Sequence, residues 1–208
     1  MENVFVSSHP LVLTALSFLR DKTTPRSAFR HYARIIAMLL ITEASYDLLL
    51  KEKKLTTPLQ PTFGMVAEEH VVLMTIFRAG LSMLEPALDL FPHAPVGFAG
   101  LVRDEKTAVA SEYYWKVPRL TKESVVFLLD PMLATGGSLL HVLKKIQTPV
   151  KQIRLVTIIS APEGITSIHD QFPGVLIFTG AVDEKLNNQK FIVPGLGDFG
   201  DRYFGTEE

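Results

Sequence analysis

Between an apolar run and a helical pattern stand Asp130, Pro131, Met132, Leu133, Ala134, Thr135, Gly136, Gly137 and Ser138. They supply a carboxylate, two hydroxyls and a glycine pair. Glycines let backbone N–H groups converge on one anion with no Cβ in the way. A helix start behind them adds its dipole and its unpaired N–H groups. Thr135 and Ser138 add hydroxyl donors. Asp130, at the lip, can accept hydrogen bonds from sugar hydroxyls. The combination predicts a ribose 5-phosphate site. A Thr-Gly-Gly turn alone would read as a plain connection. The acid before it and the helix after it favour the phosphate reading.

Other phosphate and catalytic motifs fail. No G-x-x-x-x-G-K-[ST] segment occurs, so the chain is not read as a P-loop enzyme. Gly195, Gly197 and Gly200 match G-x-G-x-x-G, but only eight residues follow Gly200 in this sequence. A dinucleotide site needs a helix, a second strand and a distant acid there. The six histidines fall in no ligand spacing, and no G-x-S-x-G elbow appears. Cysteine is absent, which excludes disulfides, thiolate metal sites and cysteine nucleophiles.

Such groups need a frame. Apolar runs recur as VVLMTIF (71–77), VGFAGLV (96–102), VVFLLD (125–130), IRLVTIIS (153–160) and VLIFTG (175–180). Runs without alternation suit strands buried on both faces. Helical patterns lie between several of them. Strand–helix alternation predicts an α/β fold, a parallel sheet of about five strands flanked by helices. Ligands in such sheets sit beyond the carboxyl ends of the strands. Arg78, Arg103 and Asp130 each follow the end of a run.

The first 50 residues read as helix, with Thr24 and Pro25 as an N-cap and N1 pair. Phe29, Tyr32, Ile36, Leu39, Leu40 and Glu43 then keep helical spacing. Lys51 to Phe63 reads as a connector or an edge strand.

Hydrophobic residues make up 47% and charged residues 21%, enough for a core without staples. A net charge of −1 offers no broad basic surface, so no nucleic-acid partner is expected. No stretch approaches the roughly 18 uninterrupted apolar residues of a membrane span. The start, MENVFVSSHPLVLTALSFLRDK, has no basic residues before its apolar stretch. It reads as an amphipathic helix and not a signal peptide, and a cytoplasmic protein is expected.

DPMLATGGS (130–138) resembles the segment of uracil phosphoribosyltransferases that binds phosphoribosyl pyrophosphate (PRPP). That family has Asp then Pro where most type I phosphoribosyltransferases have two adjacent acids. IFRAGLSM (76–83) resembles its pyrophosphate loop, and GLVRDEKT (100–107) with EYYWKVP (112–118) its flexible arm. APEG (161–164) and FIVPGLGDFGDRYFGT (191–206) resemble its C-terminal uracil site. HPLV near the start and LRDKTT (19–24) also fit, so the resemblance covers essentially the whole chain in order. The chain departs from the family pattern at Ser82, Trp115 and Phe199.

The resemblance implies a phosphoribosyltransferase-type sheet with N-terminal helices and a C-terminal base-binding hood. It implies one domain over 1–208, with a helical region about 1–60, a PRPP-binding core about 65–180 and a uracil-binding segment about 181–208. The implied reaction joins uracil to the ribose of PRPP, giving UMP and pyrophosphate in pyrimidine salvage. Arg78 and Arg103 would clamp the diphosphate through their planar forks. Asp130, Arg103 and Asp198 would be catalytic, and Asp198 would also touch PRPP. Ile192, Gly197, Asp198 and Phe199 would contact uracil, largely through backbone. Mg²⁺ would arrive bound to PRPP, with no dedicated metal site. A homodimer or higher homo-oligomer is implied, with room for a nucleotide effector. A related enzyme for another base would share the PRPP site and differ at 191–200. A non-catalytic UMP sensor or RNA binder is disfavoured by the net charge and by Asp130, Arg78 and Arg103.

Overall fold

A computed structural model of the chain describes residues 2–103 and 110–206. The chain opens with a short strand, β1 (Val4–Val6), then helices α1 (Pro10–Arg20) and α2 (Arg26–Glu43). An antiparallel ribbon follows, β2 (Leu50–Thr56) against β3 (Pro61–Ala67). Then come β4 (His70–Phe77), α3 (Leu81–Leu90), β5 (Val96–Arg103), β6 (Ala110–Lys116), β7 (Ser124–Leu129) and β8 (Met132–Leu133). Helix α4 (Gly137–Lys145), β9 (Gln152–Ser160), α5 (Pro162–His169) and β10 (Leu176–Val182) complete the alternation. A small hairpin, β11 (Lys185–Leu186) with β12 (Ile192–Val193), leads to α6 (Phe199–Phe204).

Among the described residues the main sheet runs β1-β10-β9-β7-β4-β5-β6, with β8 added on β9. The five strands expected from the apolar runs are β4, β5, β7, β9 and β10, and neighbours among them are parallel. Parallel β1 and antiparallel β6 extend the two edges. From β4 the chain steps to β5 on one side, then crosses to β7 on the other. In core numbering this is the 2-1-3-4-5 order, whose switch point lies between the first and third strands. Here that is between β4 and β7.

Burial explains the unbroken apolar runs. Every residue of β7 is buried. Val125, Phe127 and Leu129 face Leu19, Ile36, Leu40 and Met83 of α1, α2 and α3. Val126 and Leu128 face the other way, into Leu139, Val142, Ile165 and Ile168 of α4 and α5. Truncating such a side chain to Ala costs about 2–5 kcal/mol.

Some sequence expectations change and one is narrowed. Val4–Val6 is strand, not helix, paired with Ile177, Phe178 and Thr179 of β10. The parallel edge of β10 supplies hydrogen-bond partners that a three-residue helix would lack, and Phe5 stacks on Phe178 at 4.7 Å. Thr24 does not cap α2. Its hydroxyl donates to the Phe18 carbonyl at 2.7 Å, and Pro25 holds the cap position. For Lys51 to Phe63 the strand alternative holds: the segment lies in the β2–β3 ribbon. Pro131 to Gly137, expected as a loop, includes the strand β8, in which Met132 and Leu133 pair with Ile159 and Ser160. No helix among the described residues is long and apolar enough to cross a membrane.

Candidate active site

The 130–138 segment is fixed at both ends before it turns. The Asp130 N–H donates to Val156 O at 3.3 Å, and Pro131 O accepts from Ile158 N–H at 2.9 Å. Leu133 O accepts from Ala161 N–H at 2.8 Å. The Leu133 side chain is therefore fully buried beneath the turn, not facing a ligand. Gly136 then takes φ 80°, a left-handed conformation that suits glycine, and serves as the N-cap of α4. The Gly137 N–H leans on Thr135 Oγ1 at 3.3 Å. Lys144 and Lys145 occupy the last turn of α4, complementing the helix dipole whose positive end faces the cradle.

The underside of the turn rests on α5. A Cβ at Gly164 would lie 2.3 Å from Ala134 O. Only glycine permits that approach, so α5 packs directly against the cradle. Next to it, Glu163 Oε1 accepts from Leu186 N–H at 2.9 Å, which lowers the pKa of that carboxyl. APEG thus braces the cradle on one side and the β11–β12 hairpin on the other.

Across the switch point, Arg78 follows β4 at the carboxyl end of the sheet. Its side chain is 60% exposed and points to the C-terminal segment, with Nη2 3.6 Å from Asp201 Oδ1. Asp198 caps α6, its Oδ1 accepting from Asp201 N–H at 2.9 Å. The structure therefore brings Arg78, Asp198 and Asp201 to one place. Ser82 Oγ donates to Ala79 O at 2.7 Å and steadies the loop after Arg78. Arg103 ends β5, next to β4; its side chain lies outside the described residues, as do 104–109 of the arm.

Two expected uracil contacts have buried side chains. Ile192 packs in the core beside Leu196. Phe199 is 1% exposed, its ring 5.2 Å from Phe29 and 5.8 Å from Tyr203. The ring anchors α6 to α2 and does not line the cleft. Gly197 and Asp198 are exposed.

Sequence reasoning missed the residues that hold this segment. Arg20 makes a two-pronged pair with Asp183, Nη1–Oδ2 2.8 Å and Nη2–Oδ1 2.5 Å. Arg202 donates to Leu196 O at 2.7 Å, to Leu19 O, and to Asp21 O at 2.7 Å. The resemblance of LRDKTT to the family was the available signal, but it assigned no role.

The arm is docked on α4. Glu112 of β6 bonds Lys145 and His141 Nε2, the latter at 3.1 Å. Lys145, then His141, hold the Glu112 carboxyl below its ordinary range. Lys145 also lies 4.5 Å over the Trp115 ring, which gives that departure from the family pattern a packing role.

An acid and a glycine-rich helix start at the switch point, without a P-loop lysine, are the arrangement expected of a phosphoribosyltransferase. A sequence model described as uracil phosphoribosyltransferase matches residues 6–206. A uracil phosphoribosyltransferase of Clostridium tetani is 44% identical, with both chains covered in full. One from Campylobacter curvus is 42% identical over 99% of this chain and all of its own. The solved structure of the AQ2163 protein from Aquifex aeolicus superposes with a TM-score of 0.93 at 39% identity, covering 98% of this chain and 99% of that one. The chain belongs to the uracil phosphoribosyltransferase family and is an enzyme.

Proposed function

We propose that this enzyme transfers the 5-phosphoribosyl group of PRPP to N1 of uracil in the cleft at the β4–β7 switch point. The observation that supports this most is the convergence there of the Asp130–Ser138 cradle, Arg78 and the capped C-terminal segment. The 5-phosphate sits on the backbone N–H groups and hydroxyls of Ala134–Ser138. Asp130 accepts from the ribose hydroxyls. Arg78 and Arg103 hold the diphosphate, and Asp198 approaches PRPP from the hood. Uracil lies along backbone groups of Ile192, Gly197, Asp198 and Phe199.

The bond from C1′ to the diphosphate oxygen breaks, and its electron pair leaves with pyrophosphate. N1 of uracil forms the new bond to C1′, and its proton passes to the departing pyrophosphate or to solvent. Positive charge grows on the ribose ring while negative charge grows on the leaving group. The protein's contribution is alignment and fixed positive charge around the diphosphate. PRPP enters as its Mg²⁺ complex, so the ion belongs to the substrate.

We place the enzyme in the cytoplasm as a homodimer or higher homo-oligomer. Exposed Leu50, Leu55, Phe63 and Met65 on the β2–β3 ribbon support a subunit interface. Pyrophosphate release with uracil, cytosine, adenine, guanine, hypoxanthine and orotate tests the assignment. Uracil should give UMP, with cytosine at least about 100-fold slower. Turnover of a purine or orotate in preference to uracil would overturn it.

A further inference from the structure

We infer that Arg20 and Asp183 are positioning residues that set base choice by locking Gly195 in the base-recognising segment. The inference rests on the uracil assignment above. Asp183 follows β10 at the carboxyl end of the sheet, and its side chain is only 4% exposed. A buried carboxylate needs full compensation. It receives both prongs of Arg20, at 2.8 and 2.5 Å, and the Gly195 N–H at 2.8 Å. Arg20 Nη1 also donates to Gly195 O at 2.9 Å. Both backbone polar groups of Gly195 are thus held by one ion pair. The hydrogen bonds that Arg20 donates to Asp183 raise the Arg20 pKa.

Gly195 lies between Ile192 and Gly197, in the middle of the segment assigned to uracil. Arg202 takes the next carbonyl, Leu196 O, at 2.7 Å, and ties it to Leu19 O and to Asp21 O at the end of α1. The segment is therefore suspended between α1 and the buried Asp183, and the base-facing backbone inherits its position from them. Neither Arg20 nor Asp183 needs to touch the base. Backbone donors reject a wrong base only while they cannot shift to accommodate it, because rejection consists of leaving a buried group unpaired. A shift of about 1 Å in such a group can cost on the order of 100-fold in rate.

Asp183→Asn, which keeps the shape, and Arg20→Lys, which keeps the charge but loses the two-pronged fork, test this. Each should raise the KM for uracil about tenfold or more and lower the uracil-to-cytosine ratio of kcat/KM by a similar factor, from loss of alignment. The KM for PRPP should stay within about threefold, since the cradle is untouched. A purely structural role would lower the melting temperature and the active fraction but leave the base ratio unchanged, and that result overturns the inference. Equal rises in both KM values would do the same. Should Asp183→Asn fail to fold, Arg20→Lys reads the same ratio, because the Arg20 side chain is 27% exposed. A wild-type enzyme that forms no UMP overturns the parent assignment and this inference with it. An active wild type with unchanged variants overturns the inference alone.

Discussion

Arg78 and Asp201 meet across the cleft, with Nη2 3.6 Å from Oδ1. One belongs to the loop after β4, the other to α6, so the pair joins the proposed PRPP side to the proposed base side. An exposed pair at this distance contributes about 0–1 kcal/mol. A diphosphate offers the same guanidinium several charged oxygens and a bidentate fit. Arg78 can therefore exchange Asp201 for the substrate at little cost.

Arg78→Ala is accordingly expected to raise the KM for PRPP about 10- to 100-fold, the loss of 1.5–3 kcal/mol of charge-assisted hydrogen bonding. The KM for uracil should change by less than about threefold, because the proposed partner of the side chain is the leaving group. Steady-state kinetics with each substrate varied in turn decide. A variant altered chiefly in its uracil KM would remove Arg78 from the diphosphate site.

Asp130→Asn keeps the shape of the side chain and loses its charge. Turnover should fall by about 10- to 100-fold, with weaker PRPP binding, because bonds from the ribose hydroxyls are no longer charge-assisted. Initial rates and PRPP titration calorimetry check both. Near-normal kinetics would place Asp130 outside the site.

Gly164→Ala tests how the cradle is supported. The new methyl would lie 2.3 Å from Ala134 O, so α5 and the phosphate loop must separate. Overpacking of this kind costs about 1–3 kcal/mol. The KM for PRPP should rise with the loss of stability. A variant that melts lower yet binds PRPP normally would show that the cradle holds its shape without α5.

Phe199→Ala has a different expected outcome from the one its sequence position suggests. From the sequence, Phe199 stands beside Gly197 and Asp198 as an expected uracil contact, at a position that departs from the family pattern. In the structure it is buried against Phe29 and Tyr203. Truncation should cost about 3–5 kcal/mol of stability, read by denaturant unfolding. Bulky 5-substituted uracils should gain nothing selectively. Their preferential acceptance would put the ring back in the pocket.

The parts of the fold that the sequence revealed are those governed by local rules. The five core strands are buried on both faces, so VVFLLD and its counterparts read as apolar runs. The cradle lies within consecutive residues, and its acid, hydroxyls, glycines and helix start signal one another. Other parts depend on distant partners. Val4–Val6 is strand only because β10 offers an edge. Arg20 and Asp183 lie 163 residues apart and carry no mutual spacing signal. Thr24 looked like a cap, but Phe18 O, six residues back, captured its hydroxyl. The Phe199 ring could be placed only once α2 was seen beneath α6.

The most direct measurement is the competition between uracil and cytosine for the unmodified enzyme at saturating PRPP. Uracil presents a carbonyl at position 4 and an N–H at position 3, and cytosine reverses both. With the proposed backbone contacts, each reversal would leave a buried group unpaired, at about 1–3 kcal/mol. A uracil preference in kcat/KM of roughly 10²- to 10⁴-fold is therefore expected. Comparable kcat/KM for the two bases would contradict it.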